Sequence, residues 1–209
     1  SAIREHEAGV LSSTTWDRVA TATDPVKQRR EAITTLDVLP APPVFGARTL
    51  TINQDDFLPL IHSQSLFRGR WGYKQGRMTN EQYQALLEET ILPELDRMKD
   101  ICRTDGLILG QARLGWFPCH RAGETLVIDH ESTRTIFPLP RQRAGSGLSL
   151  VDYFRTAEQG GDLLGLFLVT IGPELSRACR ALYDNNSYHD YLLLHGYGVE
   201  AAEALAQYI

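Results

Sequence analysis

Cysteine is scarce in this chain. Three occur among 209 residues, Cys102, Cys119 and Cys179, with no C-x-x-C pair and no zinc-ligand spacing. An odd, scattered set argues against a disulfide framework and suits a reducing cytoplasm. Free thiols, buried or half-buried, are expected at all three. Long apolar runs are missing too. The longest, Leu163 to Ile171, falls far short of the ~18–20 residues that cross a bilayer. The first residues, Ser1-Ala-Ile-Arg-Glu-His6, carry charge where a signal peptide needs an apolar core. There is no basic excess. Lys and Arg number 21 against 26 Asp and Glu, a net charge of −5, which argues against a dedicated nucleic-acid binder. The stretches Lys27-Gln-Arg-Arg30 and Arg68-Gly-Arg70 read as solvated surface. The expectation is a cytoplasmic protein with neither nucleic acid nor membrane as partner.

Catalytic signatures are equally sparse. There is no G-x-S-x-G, no P-loop, no G-x-G-x-x-G after a strand and no H-E-x-x-H. Cys119-His120 could suggest a nucleophile and its base, but neighbours on a strand point to opposite faces. His189 and His195 lie six apart, on opposite sides of a helix, so no metal site is expected.

What is present is a β-block flanked by helices, which indicates an α+β fold with a central antiparallel sheet and helices packed around it. Residues 1–39 read as a connector and helical lead, poor in apolar residues to Thr23, with Asp24-Pro25 opening a helix. Pro40, Pro42 and Pro43 impose an extended path into a first strand, Ala47 to Ile52. A short helix is expected within Gln54–Phe67. Thr79-Asn-Glu-Gln82 has the form of a capping box, and the helix after it must kink or restart at Pro93. Strands are expected at Leu107–Leu109, Arg113–Phe117, Thr125–Asp129, Arg134–Leu139 and Asp162–Ile171. The second and third form a hairpin through a turn at His120–Gly123. Asp162–Ile171 is nearly all apolar, the pattern of a strand covered on both faces. Leu148–Phe154 reads as a short helix or turn. Gly172-Pro173 opens a helix with Leu175, Ala178, Cys179 and Leu182 on one face. A last helix from Tyr188 is expected to bend or break near His195-Gly-Tyr-Gly198, and it reaches Ile209 without a stop signal.

Two segments could hold a ligand. In Leu66-Phe-Arg-Gly-Arg-Trp-Gly-Tyr73, arginines between aromatics can bind anions or planar rings. Equally, Trp71 and Tyr73 could bury themselves against the sheet. Leu139-Pro-Arg-Gln142 offers a guanidinium and an amide at a strand end, for a ligand or for backbone carbonyls.

Taken in order, several segments resemble one family, the C-terminal activation (reactivation) domain of cobalamin-dependent methionine synthase. They are Pro42-Pro-Val-Phe-Gly46, Leu66-Phe-Arg-Gly-Arg-Trp-Gly-Tyr73, Gly115-Trp-Phe-Pro-Cys119, Phe137-Pro-Leu-Pro-Arg-Gln142, Leu148-Ser-Leu-Val-Asp-Tyr-Phe154, Leu168-Val-Thr-Ile-Gly172 and the helix from His195 to Tyr208. The resemblance covers residues 40–209. It implies a domain that supports S-adenosylmethionine-dependent reductive methylation of oxidised cobalamin. That cobalamin is held by a different module of the parent chain, and a flavodoxin-type reductase supplies the electron. It also implies a groove for S-adenosylmethionine, with His62, Trp71, Tyr73, Arg141 and Gln142 as candidates and no catalytic residue in the isolated domain.

The chain departs from the family at two places. One form of the family carries an aspartate at the position aligned with His62. An Arg-x-x-x-Gly-Tyr-Pro ligand stretch lies beyond the helix that ends here at Ile209. The expectation is a C-terminally truncated domain with an incomplete ligand site. His195-x-x-Gly198 mimics part of the corrinoid motif D-x-H-x-x-G, but Leu193 stands where its aspartate belongs. Direct cobalamin binding by this chain is therefore not expected. The alternative is an interaction module that docks a corrinoid protein or its reductase without binding S-adenosylmethionine.

Overall fold

The computed structural model describes residues 25–34, 36 and 38–209. The reading of the lead up to Thr23 lies outside them. The elements are α1 (Pro25–Glu31), β1 (Gly46–Ile52), α2 (Gln54–Phe57), α3 (Asn80–Leu86), α4 (Leu92–Thr104), β2 (Gly110–Ala122), β3 (Thr125–His130), β4 (Thr133–Pro138), β5 (Asp162–Thr170), α5 (Pro173–Asp184) and α6 (Tyr188–Tyr208). Strands β1 to β4 neighbour one another in that order, and β5 pairs with β2. The β1–β4 ladders are antiparallel, with Gly46 opposite Trp116, Cys119 opposite Ile128 and Thr125 opposite Pro138. This is the α+β class that the order of elements indicated. The described residues divide into two compact units, one made of those up to Ala41 together with 118–163, the other of 42–117 and 164–209.

The core of the second unit gathers Phe57, Leu66, Trp71, Met98, Tyr197 and Leu205 among its buried residues. Helix α6 supplies much of it. The break expected near His195–Gly198 does not occur, and α6 runs unbroken from Tyr188 to Tyr208. Its glycines permit close approach instead. A Cβ on Gly196 would sit 2.9 Å from Trp71 Cδ1, and one on Gly198 would sit 2.5 Å from Leu175 Cδ2. Each glycine costs about 1 kcal/mol of helix propensity, which the packing it admits offsets.

The Thr79–Gln82 capping box forms as expected. At Pro93 the helix does restart. A π-helical turn, Leu87–Ile91, hands over to α4 with Pro93 in its first turn, where a missing N–H is tolerated. Two strand expectations need correction. Leu107–Leu109 is not a strand; Leu109 only donates its N–H to Ile171 O at 2.8 Å. Nor is β5 covered on both faces, because Leu166, Phe167 and Leu168 are 44%, 57% and 71% exposed. An unbroken apolar run reports hydrophobicity, not what lies over each face.

In the first unit, β2 and β3 form the expected hairpin, but its turn is Gly123–Glu124 and not His120–Gly123: β2 runs on through His120 to Ala122, which stands opposite Thr125. Leu150–Tyr153 is a 3-10 turn capped reciprocally by Ser149 and Asp152. The basic stretch ending at Arg30 is not simply solvated surface. Arg29 Nη1 donates to Ser146 O at 2.6 Å, and Arg30 Nε pairs with the buried Asp152 carboxylate at 2.9 Å.

Candidate functional site

In the second unit His62 follows a 3-10 turn, Leu58–Leu60, that a proline opens. Its Nδ1 accepts the Ser65 N–H at 3.2 Å, which puts the ring proton of the neutral form on Nε2. His62 lines a cavity of about 330 Å³ with Leu60, Glu200, Glu203, Ala204 and Gln207. Glu200 is 3% exposed. Its Oε1 accepts from Ser65 Oγ at 2.8 Å and from Arg70 Nε at 2.9 Å. The second basic stretch is thus also partly committed, through Arg70. Because Arg70 already pairs with Glu200, the carboxylate left in this pocket to meet a cationic group is Glu203, beside one imidazole donor.

Trp71 and Tyr73 lie in the same unit. Trp71 is buried, its indole N–H donates to Leu193 O at 3.0 Å, and its ring stands 5.6 Å from that of Phe67. It backs onto α6, not onto the sheet, and its one polar atom is already bonded. Tyr73 is half-buried, with its ring edge-on to Trp71 at 6.5 Å. Its hydroxyl donates to Glu94 Oε2 at 2.6 Å. Burial first, then the bond to Glu94 and that residue's charge, push the phenol up to about 12. The other oxygen of Glu94 lies 2.8 Å from His189 Nε2.

Arg141 and Gln142 belong to the other unit. The Arg141 fork binds both oxygens of Asp152, at 2.6 and 2.9 Å, and its Nε donates to Glu124 at 2.7 Å. Gln142 accepts from Ser146 Oγ at 2.9 Å, and its backbone N–H donates to Leu148 O at 3.1 Å. Both residues hold the chain segment that leads to the 3-10 turn.

Sequence reasoning passed over Glu200, Glu203 and Asp152. Asp152 had a signal, since Ser149-x-x-Asp152 is itself a capping-box spelling. Glu200 had a weaker one, a carboxylate inside the apolar stretch Tyr197 to Ala202.

Cys119 is buried, and its thiol is pushed up to about 12 by burial, with the charge of Asp162 adding to it. Cys102 is likewise pushed up to about 12, by burial and then by Cys179 and Asp105. Burial raises Cys179 as well. A thiol in that state is a poor nucleophile. With a disulfide-exchange reagent at pH 8, all three thiols of the native protein are expected to react at least about a hundredfold more slowly than after denaturation. Rapid native labelling of Cys119 would contradict its burial. Among the described residues no group of three His, Cys, Asp or Glu side chains could hold a metal ion, and no helix is long and apolar enough to cross a membrane.

No family model matches the chain. Over 202 residues it is 34% identical to methionine synthase of Mycobacterium tuberculosis (strain ATCC 25618 / H37Rv), covering 90% of this chain and 17% of that protein. Over 201 residues it is 31% identical to methionine synthase of Mycobacterium leprae (strain TN), with the same coverage. The chain thus spans about one sixth of the length of these relatives. Its fold matches the crystal structure of the MetH reactivation domain bound to AdoHcy, with a TM-score of 0.66 and 19% identity, over 87% of this chain and 60% of that one.

Proposed function

We propose that this chain, similar in sequence to one stretch of methionine synthase and folded like the reactivation domain, is the activation region of a cobalamin-dependent methionine synthase. In this reading it supports S-adenosylmethionine-dependent reductive methylation of oxidised cobalamin, within the 5-methyltetrahydrofolate–homocysteine methyltransferase of methionine biosynthesis. The observation that carries the reading is the sequence match along 90% of the chain together with the fold match over 87% of it. The cobalamin sits in a different module of the same protein, a flavodoxin-type reductase is the electron source, and the setting is the cytoplasm.

The cobalt supplies the chemistry when present. This chain's part is to bind, orient and shield the methyl donor over another module, a proximity role. The pocket beside His62 supports such a role. Glu203 gives a sulfonium a favourable field, Glu200 being already paired with Arg70, and Trp71 and Tyr73 lie in the same unit. Arg141 and Gln142 enter through the resemblance alone.

The His62 Nε2–H is a donor where an aspartate would accept, so S-adenosylmethionine binding by this chain should be weak. His62→Asp adds an acceptor and a negative charge, and should tighten binding about tenfold, roughly 1.4 kcal/mol. Calorimetric titration of both proteins with S-adenosylmethionine tests this. Equal affinities would move the pocket away from His62. No heat from either protein, alongside retained binding to an isolated corrinoid module, would replace the methyl-donor reading by that of a docking module.

A further inference from the structure

The first unit holds a second cleft, of about 380 Å³, lined by Arg30, Glu31, Arg121, Asp152, Phe154 and Gln159. At its base the Asp152 side chain is fully buried. A carboxylate offers about four lone-pair sites, and here all four are taken. Arg141 donates twice, at 2.6 and 2.9 Å, the Ser149 N–H donates at 3.0 Å, and Arg30 Nε lies at 2.9 Å. Arg121 is left over. Its Nη1 stands 3.8 Å from Asp152 Oδ1, with a side chain only 19% exposed, and no side-chain hydrogen bond joins its guanidinium to another described residue.

The Arg155 backbone carbonyl accepts the Arg121 N–H at 2.8 Å; the Arg155 side chain does not line the cleft, and its buried Nε has no acceptor among the described residues. Gln159 uses its Oε1 to accept from the Thr156 N–H at 2.9 Å, which leaves its amide N–H₂ over for the cleft. On the other side of the balance, Glu124 already takes Arg141 Nε at 2.7 Å, and Glu31 stands on the rim as an opposing charge.

A guanidinium has five N–H donors and cannot shed its proton. Partial burial without full pairing is therefore costly unless an acceptor arrives. We infer that this cleft is an anion site, which takes one phosphoryl or carboxylate group on the Arg121 fork with Arg30 and the Gln159 amide beside it. This goes beyond the proposed function and is independent of it, since it rests on residues of the first unit and the pocket beside His62 belongs to the other.

The test uses the whole chain. Sodium pyrophosphate and, in parallel, sodium citrate are titrated at an ionic strength held constant with sodium chloride, and the melting temperature is followed. The expected result is a saturable rise of roughly 5 °C at a hundredfold excess over Kd, kept in Arg134→Gln and lost in Arg121→Gln. Arg134 serves as control because its ion pair among the described residues is with exposed Asp129. A response to pyrophosphate alone assigns a phosphoryl ligand, to citrate alone a carboxylate, and to both a general oxyanion site. A rise unchanged in Arg121→Gln, or none beyond that of chloride, overturns the assignment. Should Arg121→Gln not fold, the guanidinium Nε–H resonance of Arg121 in the unsubstituted protein decides the matter: it moves on titration if the site is real and stays fixed if it is not.

Discussion

Trp71→Ala should cost about 4 kcal/mol of folding stability, a large part of the ~5–15 kcal/mol that holds a domain of this kind together. Three losses add up. The indole is 5% exposed, so its removal opens a cavity in the centre of the second unit. Its N–H no longer reaches Leu193 O, 3.0 Å away on α6. The surface around Gly196, shaped to admit the ring, loses its contact. Trp71→Phe separates these terms, because it keeps an apolar ring and removes only the donor and the second ring. It should cost about 1–2 kcal/mol. Urea unfolding followed by circular dichroism measures both. A loss below about 1 kcal/mol for the alanine variant would mean that Trp71 is not a core residue, and the loop to Tyr73 would regain standing as a free ligand-binding surface.

The second large effect is at Asp152. Asp152→Asn removes the charge shared by Arg30 and Arg141 and faced by Arg121, and leaves Arg141 only its bond to Glu124 among carboxylates of the described residues. Breaking one partner of a buried pair costs about 3–5 kcal/mol. The guanidiniums keep 37%, 22% and 19% of their surface, so the lower end, about 3 kcal/mol, is expected. The same residue gives a pH signature. Burial would raise its carboxyl, but the Arg141 bonds, the Ser149 N–H and the charges of Arg141 and Arg30 outweigh this and hold it below the usual carboxylate range. A depressed folded-state value means stability that is fully present above the unfolded value of about 3.9 and is lost as pH falls through the folded one. The difference in urea midpoint between the two proteins should therefore be constant at pH 6–8 and shrink below about pH 4. A difference that grew on acidification would show the carboxyl to be protonated in the native protein.

Local patterns were legible wherever the deciding forces were local. The Thr79 capping box, the Pro93 restart, the existence of the β2–β3 hairpin, and the α5 start at Pro173 rest on contacts within a few residues. Elsewhere the sequence underdetermined the outcome. At His195-Gly-Tyr-Gly198 the helix was expected to bend or break, glycine being a poor helix former. The helix survives because Trp71 and Leu175 fill the space the glycines leave. Leu107–Leu109 reads as a strand, yet only one of its backbone groups finds a ladder partner in β5's continuation at Ile171. The candidate ligand residues shared this ambiguity. An arginine followed by a glutamine looks the same whether it awaits a ligand or already grips Asp152 and Ser146.

The residues alone decided the α+β class, the antiparallel hairpin, the inert cysteines and the family resemblance, because periodicity, turn chemistry and motif order are properties of neighbouring positions. Which charges are spent and which are spare was decided only by tertiary structure. The Glu200 carboxylate meets Arg70 across 130 positions and Arg30 meets Asp152 across 122. Pairings over such separations are set by how the chain packs, and no local pattern encodes them.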